Sequence, residues 1–257
     1  MTDRRRCRIV YLLAFVLLLA GSVVAHRFSA FGETDRTARG FDDRLMSFLM
    51  QGLVFEHPLL NGNGRPPIAA SSMAYILGGT QESLSYKVKT VGRLYAEGTV
   101  GNILILHRPG ITEYSPALGR NFTNDEWATG KLKEEGVAVE NLEFVPVPPA
   151  TFDTFAEARA ISDLARARKV KRLVLVSSTH HTKRVWLSFS HFNGDNAFES
   201  YTYGSEEKAD IFELLVENVK LGIYRHLVFP IDRLRGHFSS RRVALRTEKE
   251  SFPEKTR

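Results

Sequence analysis

Cysteine is almost missing from this chain; the only one, Cys7, lies within the first eight residues. The rest of the chain therefore has no disulfide framework, cysteine-based zinc site or cysteine nucleophile. The glycine spacings that mark common nucleotide sites are missing too. Gly78-Gly79 has no third glycine at dinucleotide spacing, and there is no Walker pattern. NAD and ATP are discounted accordingly, and the cofactor is left unknown. No His-x-x-x-His pair occurs, and His180 and His181 as neighbours on a helix start diverge by about 100°, so no metal is assigned. A Ser/His/Asp triad from Ser177 or Ser178, His181 and Asp153 can be written down, but no Gly-x-Ser-x-Gly elbow supports it.

Basic charge is scarce where nucleic acid would need it. The chain carries +6 formally, but Arg4, Arg5, Arg6 and Arg8 face Asp3 alone at one end. From Asp232 to Arg257 eight Lys/Arg face four Asp/Glu. The middle of the chain is close to neutral, so nucleic acid is excluded as a partner; its footprint requires basic residues clustered on a folded face.

Ile9 to Ala25 is seventeen residues without a charge, directly after the arginines. As a helix it is roughly 26 Å long, slightly short of the ~30 Å hydrocarbon core, and flanking Arg8 and Arg27 can snorkel to close the gap. A transmembrane anchor over 9–25 is expected, with the basic segment 1–8 in the cytoplasm and the remainder outside. A cleaved signal peptide is the competing reading, since Val23-Val24-Ala25 is a passable cleavage site. The apolar region exceeds the ~7–15 residues of a signal, which favours the anchor.

Residues 26–67 read as a stem with a short amphipathic helix, Phe41, Leu45, Phe48, Leu49 and Leu53 following helical spacing. Asn61-Gly-Asn-Gly-Arg-Pro-Pro67 ends it. Over 68–230 apolar runs alternate with amphipathic stretches. Strands are expected at Met73–Leu77, Ile103–Leu106, Leu142–Val145, Leu173–Val176 and around Phe198–Tyr203. Helices are expected at Tyr86–Glu97, Asp125–Glu135, Phe155–Arg168, Lys183–Phe192 and Glu206–Tyr224. This is the pattern of a three-layer α/β domain, with a mostly parallel sheet covered by helices on both faces. Residues 231–257 form a basic tail.

A parallel sheet collects its loops at the C-terminal rim, where ligands bind in open α/β sheets. Gly78 and Gly79 would let a ligand approach the backbone. His107 and Arg108 arrive from the next loop. Thr154-Phe-Ala-Glu157 and Thr123-Asn-Asp-Glu126 both read as capping boxes, leaving their glutamates with either a capping or a chemical role. Val174-Leu-Val-Ser-Ser-Thr-His-His-Thr-Lys-Arg184 is a buried strand that ends in hydroxyls, histidines and cations. Its cations oppose the dipole of the helix they begin, unless an anion or a carboxylate offsets them. Ser177, Ser178 and Thr179 can cap the helix that starts near His181, and an anion there would meet that helix N-terminus, His181 and Arg184 together, with Ser178 counted among the ligand-binding residues.

Ile76-Leu-Gly-Gly79, Arg93 before Tyr95-Ala-Glu-Gly98, and Ile103-Leu-Ile-Leu106 resemble the first half of the YdcF/SanA/ElyC-like domain-of-unknown-function family. Glu126, Leu132…Gly136-Val137, Thr154…Glu157-Ala158 and Ser178-Thr-His-His-Thr-Lys-Arg184 resemble the remainder, in order. The resemblance covers roughly residues 70–225. The family typically has Ser-Gly-Gly after its second strand and Ser-Pro-x-His before the arginine; this chain has His107-Arg-Pro-Gly110 and Ser178-Thr-His-His181. The resemblance implies a Rossmann-like three-layer fold and a role in the bacterial envelope. The expectation is a single-pass inner-membrane protein whose domain faces the periplasm or exterior. It would bind or process a phosphorylated or anionic ligand, such as a lipid-linked glycan precursor. As an enzyme, it would use His181 as acid/base, Arg184 and Arg93 to hold oxygens, and Glu126 or Glu157 to orient or accept protons. The alternatives are a non-catalytic assembly or barrier factor, and a nucleotide- or S-adenosylmethionine-type domain.

Overall fold

The computed structural model describes residues 35–56, 72–148, 150–194 and 196–234. The expected anchor at 9–25, the basic segment 1–8, residues 26–34 and 57–67 of the stem and most of the tail lie outside the described residues. Among those described, no helix is long and apolar enough to cross a membrane. By contacts the chain divides into residues 1–48 and 49–257. The first unit is described only from the start of helix α1, Asp35–Leu53. The sheet and the helices that cover it belong to the second.

Five strands form one parallel sheet. They are β1 (Ser72–Ile76), β2 (Asn102–His107), β5 (Leu142–Pro146), β6 (Arg172–Ser178) and β7 (Glu199–Ser205), in the order β5-β2-β1-β6-β7. This is the doubly wound order in which the chain starts centrally, builds outward to one edge and then returns to build the other. Each central strand buries both faces. Ala74, Ile76, Ile103, Ile105, Val174 and Val176 join one core, while Tyr75, Leu77, Leu104, Leu173 and Leu175 join the opposite one. That two-sided burial is why these strands read as unbroken apolar runs.

The first core is covered by helix α2 (Gln81–Ala96) through Val88, Val91 and Leu94, and by Leu132 of α3 (Asn124–Glu134). The second is covered by α4 (Asp153–Ala167) through Ala158, Ile161 and Ala165, and by α5 (Thr182–Phe192) through Val185 and Phe189. Helix α2 starts five residues before the expected Tyr86, because the Thr80 side chain accepts from Ser83 N and caps it. A hairpin, β3 (Ile111–Ser115) with β4 (Arg120–Thr123), occupies a stretch to which no element is assigned from sequence. Most of its side chains are exposed, so it carries no alternating apolar signal.

Helix α6 (Ile211–Ile223) continues through a π turn, Tyr224–Val228, to residue 234. Its end packs Tyr224, Val228 and Phe229 against Phe155 and Leu187. The edge strand β7 does not stand open: Thr202 donates to the Phe55 carbonyl (2.7 Å) and Gly204 N–H to Glu56 (2.9 Å). Phe55 N–H in turn donates to Thr182 (2.8 Å). Covering an edge in this way removes a template for pairing with other chains.

Candidate functional site

Strands β1 and β6 are neighbours whose chain continues in opposite directions across the sheet, so their C-terminal ends open a crevice. A cavity of about 720 Å³ lies there. Its walls are the Leu77–Thr80 loop, Arg108, the start of α4, the Ser177–Val185 turn, and Lys220 and Tyr224 of α6.

His181 and Arg184, both in the wall, are held by Glu217, only 1% exposed in its side chain. His181 Nδ1 lies 2.8 Å from its Oε2, and Arg184 grips it through Nε and, at 3.1 Å, through Nη2. Arg184 Nη1 also donates to Thr154, and its guanidinium lies 5.4 Å from the Tyr224 ring centre. Burial alone would raise the Glu217 pKa, but the His181 hydrogen bond and the Arg184 charge outweigh it, bringing the carboxyl down to about 2. The cations at the α5 start are thus offset from within the protein by a carboxylate on α6. Arg184 is itself buried and fully engaged. His181 Nδ1–H donates to Glu217, and its Nε2 has no partner among the described residues.

A second construction fixes the glycine loop. Lys87, buried on α2, donates to the carbonyls of Leu77 (3.3 Å) and Gly78 (2.9 Å). On the opposite face Glu157 accepts from Tyr75 OH (2.8 Å) and Gly78 N–H (3.3 Å). Burial lowers the Lys87 pKa to about 8. Burial also raises that of Glu157, against the lowering effect of its Tyr75 and Gly78 bonds. Arg108 completes the loop by donating to the Gly79 carbonyl (3.3 Å).

Of the residues picked from sequence, Gly78, Gly79, Thr154, Glu157, His181 and Arg184 line the cavity. Thr154-Phe-Ala-Glu157 is not a capping box: α4 begins at Asp153 with no side-chain cap, and both residues serve the cavity wall instead. Glu126 is not brought there. It closes the Thr123 capping box as read, and a bidentate pair with Arg120 holds its carboxyl at about 2. Arg93 lies outside the cavity wall, against Tyr203 OH (3.4 Å) and Glu206 (3.7 Å). Ser178 is buried between Ser83 (3.2 Å) and Glu207, behind the cavity. Neither Ser178 nor Thr179 caps α5; Thr179 donates to the Ser205 carbonyl (2.7 Å). His107 pairs with Asp125 (2.5 Å). His180 is buried with Nδ1 unpartnered among the described residues, and burial lowers its pKa to about 4.

Glu217, Lys87 and Tyr224 were not anticipated. Two of them had a signal: Glu217 lies on the stripe Leu214, Glu217, Leu221, and Lys87 between Ser83 and Val91 on the buried side of α2. A charge on the inner stripe of an amphipathic helix points to a partner within the fold.

Chemically, the site combines a carboxylate-oriented imidazole with open Nε2, a rigid glycine loop and an exposed arginine. That set suits proton transfer beside a polar or anionic group. Among the described residues no group of three or more His, Cys, Asp or Glu side chains is arranged to hold a metal ion. The chain matches no family model and no curated protein sequence.

Proposed function

We propose that this is a membrane-anchored protein of the bacterial envelope, its α/β domain outside the cytoplasm. The cavity at the β1/β6 crevice binds or processes a phosphorylated or otherwise anionic ligand, a lipid-linked glycan precursor being the class that fits such a location. The observation that carries the chemical part is the Glu217–His181 pair. A buried carboxylate on Nδ1 fixes the imidazole tautomer and leaves Nε2 of this cavity-lining residue without a partner among the described residues, able to take or return a proton. Arg184 acts through Glu217 and Thr154, holding the pair in place. The charged run Arg4–Arg8 before an uncharged stretch, and the resemblance to envelope proteins, support the location.

Native mass spectrometry of the full chain extracted from membranes tests this reading. A co-purified phosphorylated species is expected, retained by His181→Asn but no longer converted. An empty protein whose envelope phenotype survives replacement of both His181 and Arg184 by alanine would sink it.

A further inference from the structure

Arg184 was the cation first expected to hold an anion, yet its nitrogens are committed to Glu217 and Thr154 within the fold. Arg108 is placed differently. It is exposed, and it borders the main cavity and two smaller ones of about 220 and 60 Å³. The one hydrogen bond of its side chain among the described residues is the 3.3 Å contact to Gly79 O, and no carboxylate there is within ion-pair distance. Lys220, on the opposite wall, is exposed and likewise without a partner among them.

The glycine loop adds a donor. All described peptide bonds are trans, so the N–H of Gly79 points opposite to the carbonyl of Gly78. That carbonyl is turned onto buried Lys87; the Gly79 N–H therefore faces away from Lys87 and has no partner among the described residues. The lining carboxylates are unequal. Glu157 is engaged by Tyr75 and the Gly78 N–H, whereas Asp153 has no partner among the described residues and is open to ligand hydroxyls.

We infer that Arg108, with the Gly79 N–H and Lys220, forms the phosphate subsite of the cavity, and that the ligand is a phosphate ester of a polyol whose hydroxyls meet Asp153. This rests on the proposal that the cavity takes an anionic ligand. Gly78 has a definite part in it: a Cβ there would run into the Arg108 guanidinium and come within 3.0 Å of Leu106 Cδ2. Hydrogen at this position is what lets the guanidinium lie along the loop.

The test is calorimetric titration of the full chain in detergent with inorganic phosphate and with glucose 1-phosphate. Wild type is expected to bind both, the sugar phosphate at least about fivefold more tightly. Arg108→Gln should weaken both by at least about tenfold, as the loss of a charge-assisted contact implies. Gly78→Ala keeps every charge but displaces Arg108, and should weaken both with little change in melting temperature; it decides the matter should Arg108→Gln not fold. Binding within twofold of wild type in these variants overturns the Arg108 assignment while leaving the anionic-ligand proposal intact. Equal affinity for the two probes removes the polyol part. A wild-type protein that binds neither sinks the subsite, and the anionic-ligand proposal with it if the membrane-extracted protein also carries no phosphorylated species.

Discussion

Glu217 is the buried residue that holds His181 and Arg184 in the cavity wall. Replacing it with alanine leaves the Arg184 guanidinium buried without its countercharge, which costs about 3–5 kcal/mol. Chemical denaturation of Glu217→Ala should read a loss of that size, with Glu217→Gln losing less because its amide oxygen still accepts from Arg184. The wall also fixes a pH response. The folded-state carboxyl lies near 2, below its ordinary value near 4.5, so its stabilisation is complete above that value and disappears as pH falls toward 2. His180 acts earlier: with a folded-state value of about 4 against 6.5, it binds its proton more readily in the unfolded chain. Stability should therefore start to fall below about pH 6.5, and His180→Gln should flatten the segment between 6.5 and 4. Lys87 works at the other end. Its pKa of about 8, against 10.5, means the unfolded chain holds the proton more strongly, so stability rises between about pH 8 and 10.5. Lys87→Met should abolish that rise in urea melts run across this range.

At the scale of elements, the two threonine–glutamate pairs that look alike in sequence part company. Thr123 and Glu126 cap α3, so Thr123→Ala should cost about 1 kcal/mol. Glu126→Gln should leave ligand binding unchanged when assayed by titration. Thr154 and Glu157 belong to α4 but face the cavity, bonded to Arg184 on α5 and to Tyr75 on β1. Local spacing cannot separate these cases, because a capping box and a helix start set against a neighbouring strand have the same four-residue pattern. The apolar stripe of α4 was readable because Ala158, Ile161 and Ala165 recur at helical spacing. The β3–β4 hairpin was not, because its side chains are mostly exposed and only the pairing of two backbones defines it.

For the whole molecule, the proposed location has a direct measurement. The full chain should sediment with membranes and resist a high-salt or carbonate wash, and a C-terminal alkaline phosphatase fusion should be active. Release by the wash, or an inactive fusion, would place the domain elsewhere.

The sequence by itself determined the class of the fold. Unbroken apolar strands separated by amphipathic helices have few ways to bury both faces other than a covered parallel sheet. It also located the rim, since the C-terminal ends of parallel strands share one edge, and so Gly78, Gly79, Thr154, Glu157, His181 and Arg184 could be named together. The tertiary structure alone decided what these groups do. Whether Arg184 meets a ligand or a carboxylate depends on α6, thirty-three residues further on, delivering Glu217. Which cation stays open depends likewise on Lys87 and Arg108 approaching one loop from different elements. Spacing along a chain records which face a residue takes, but the partner it finds there is set by how distant elements pack.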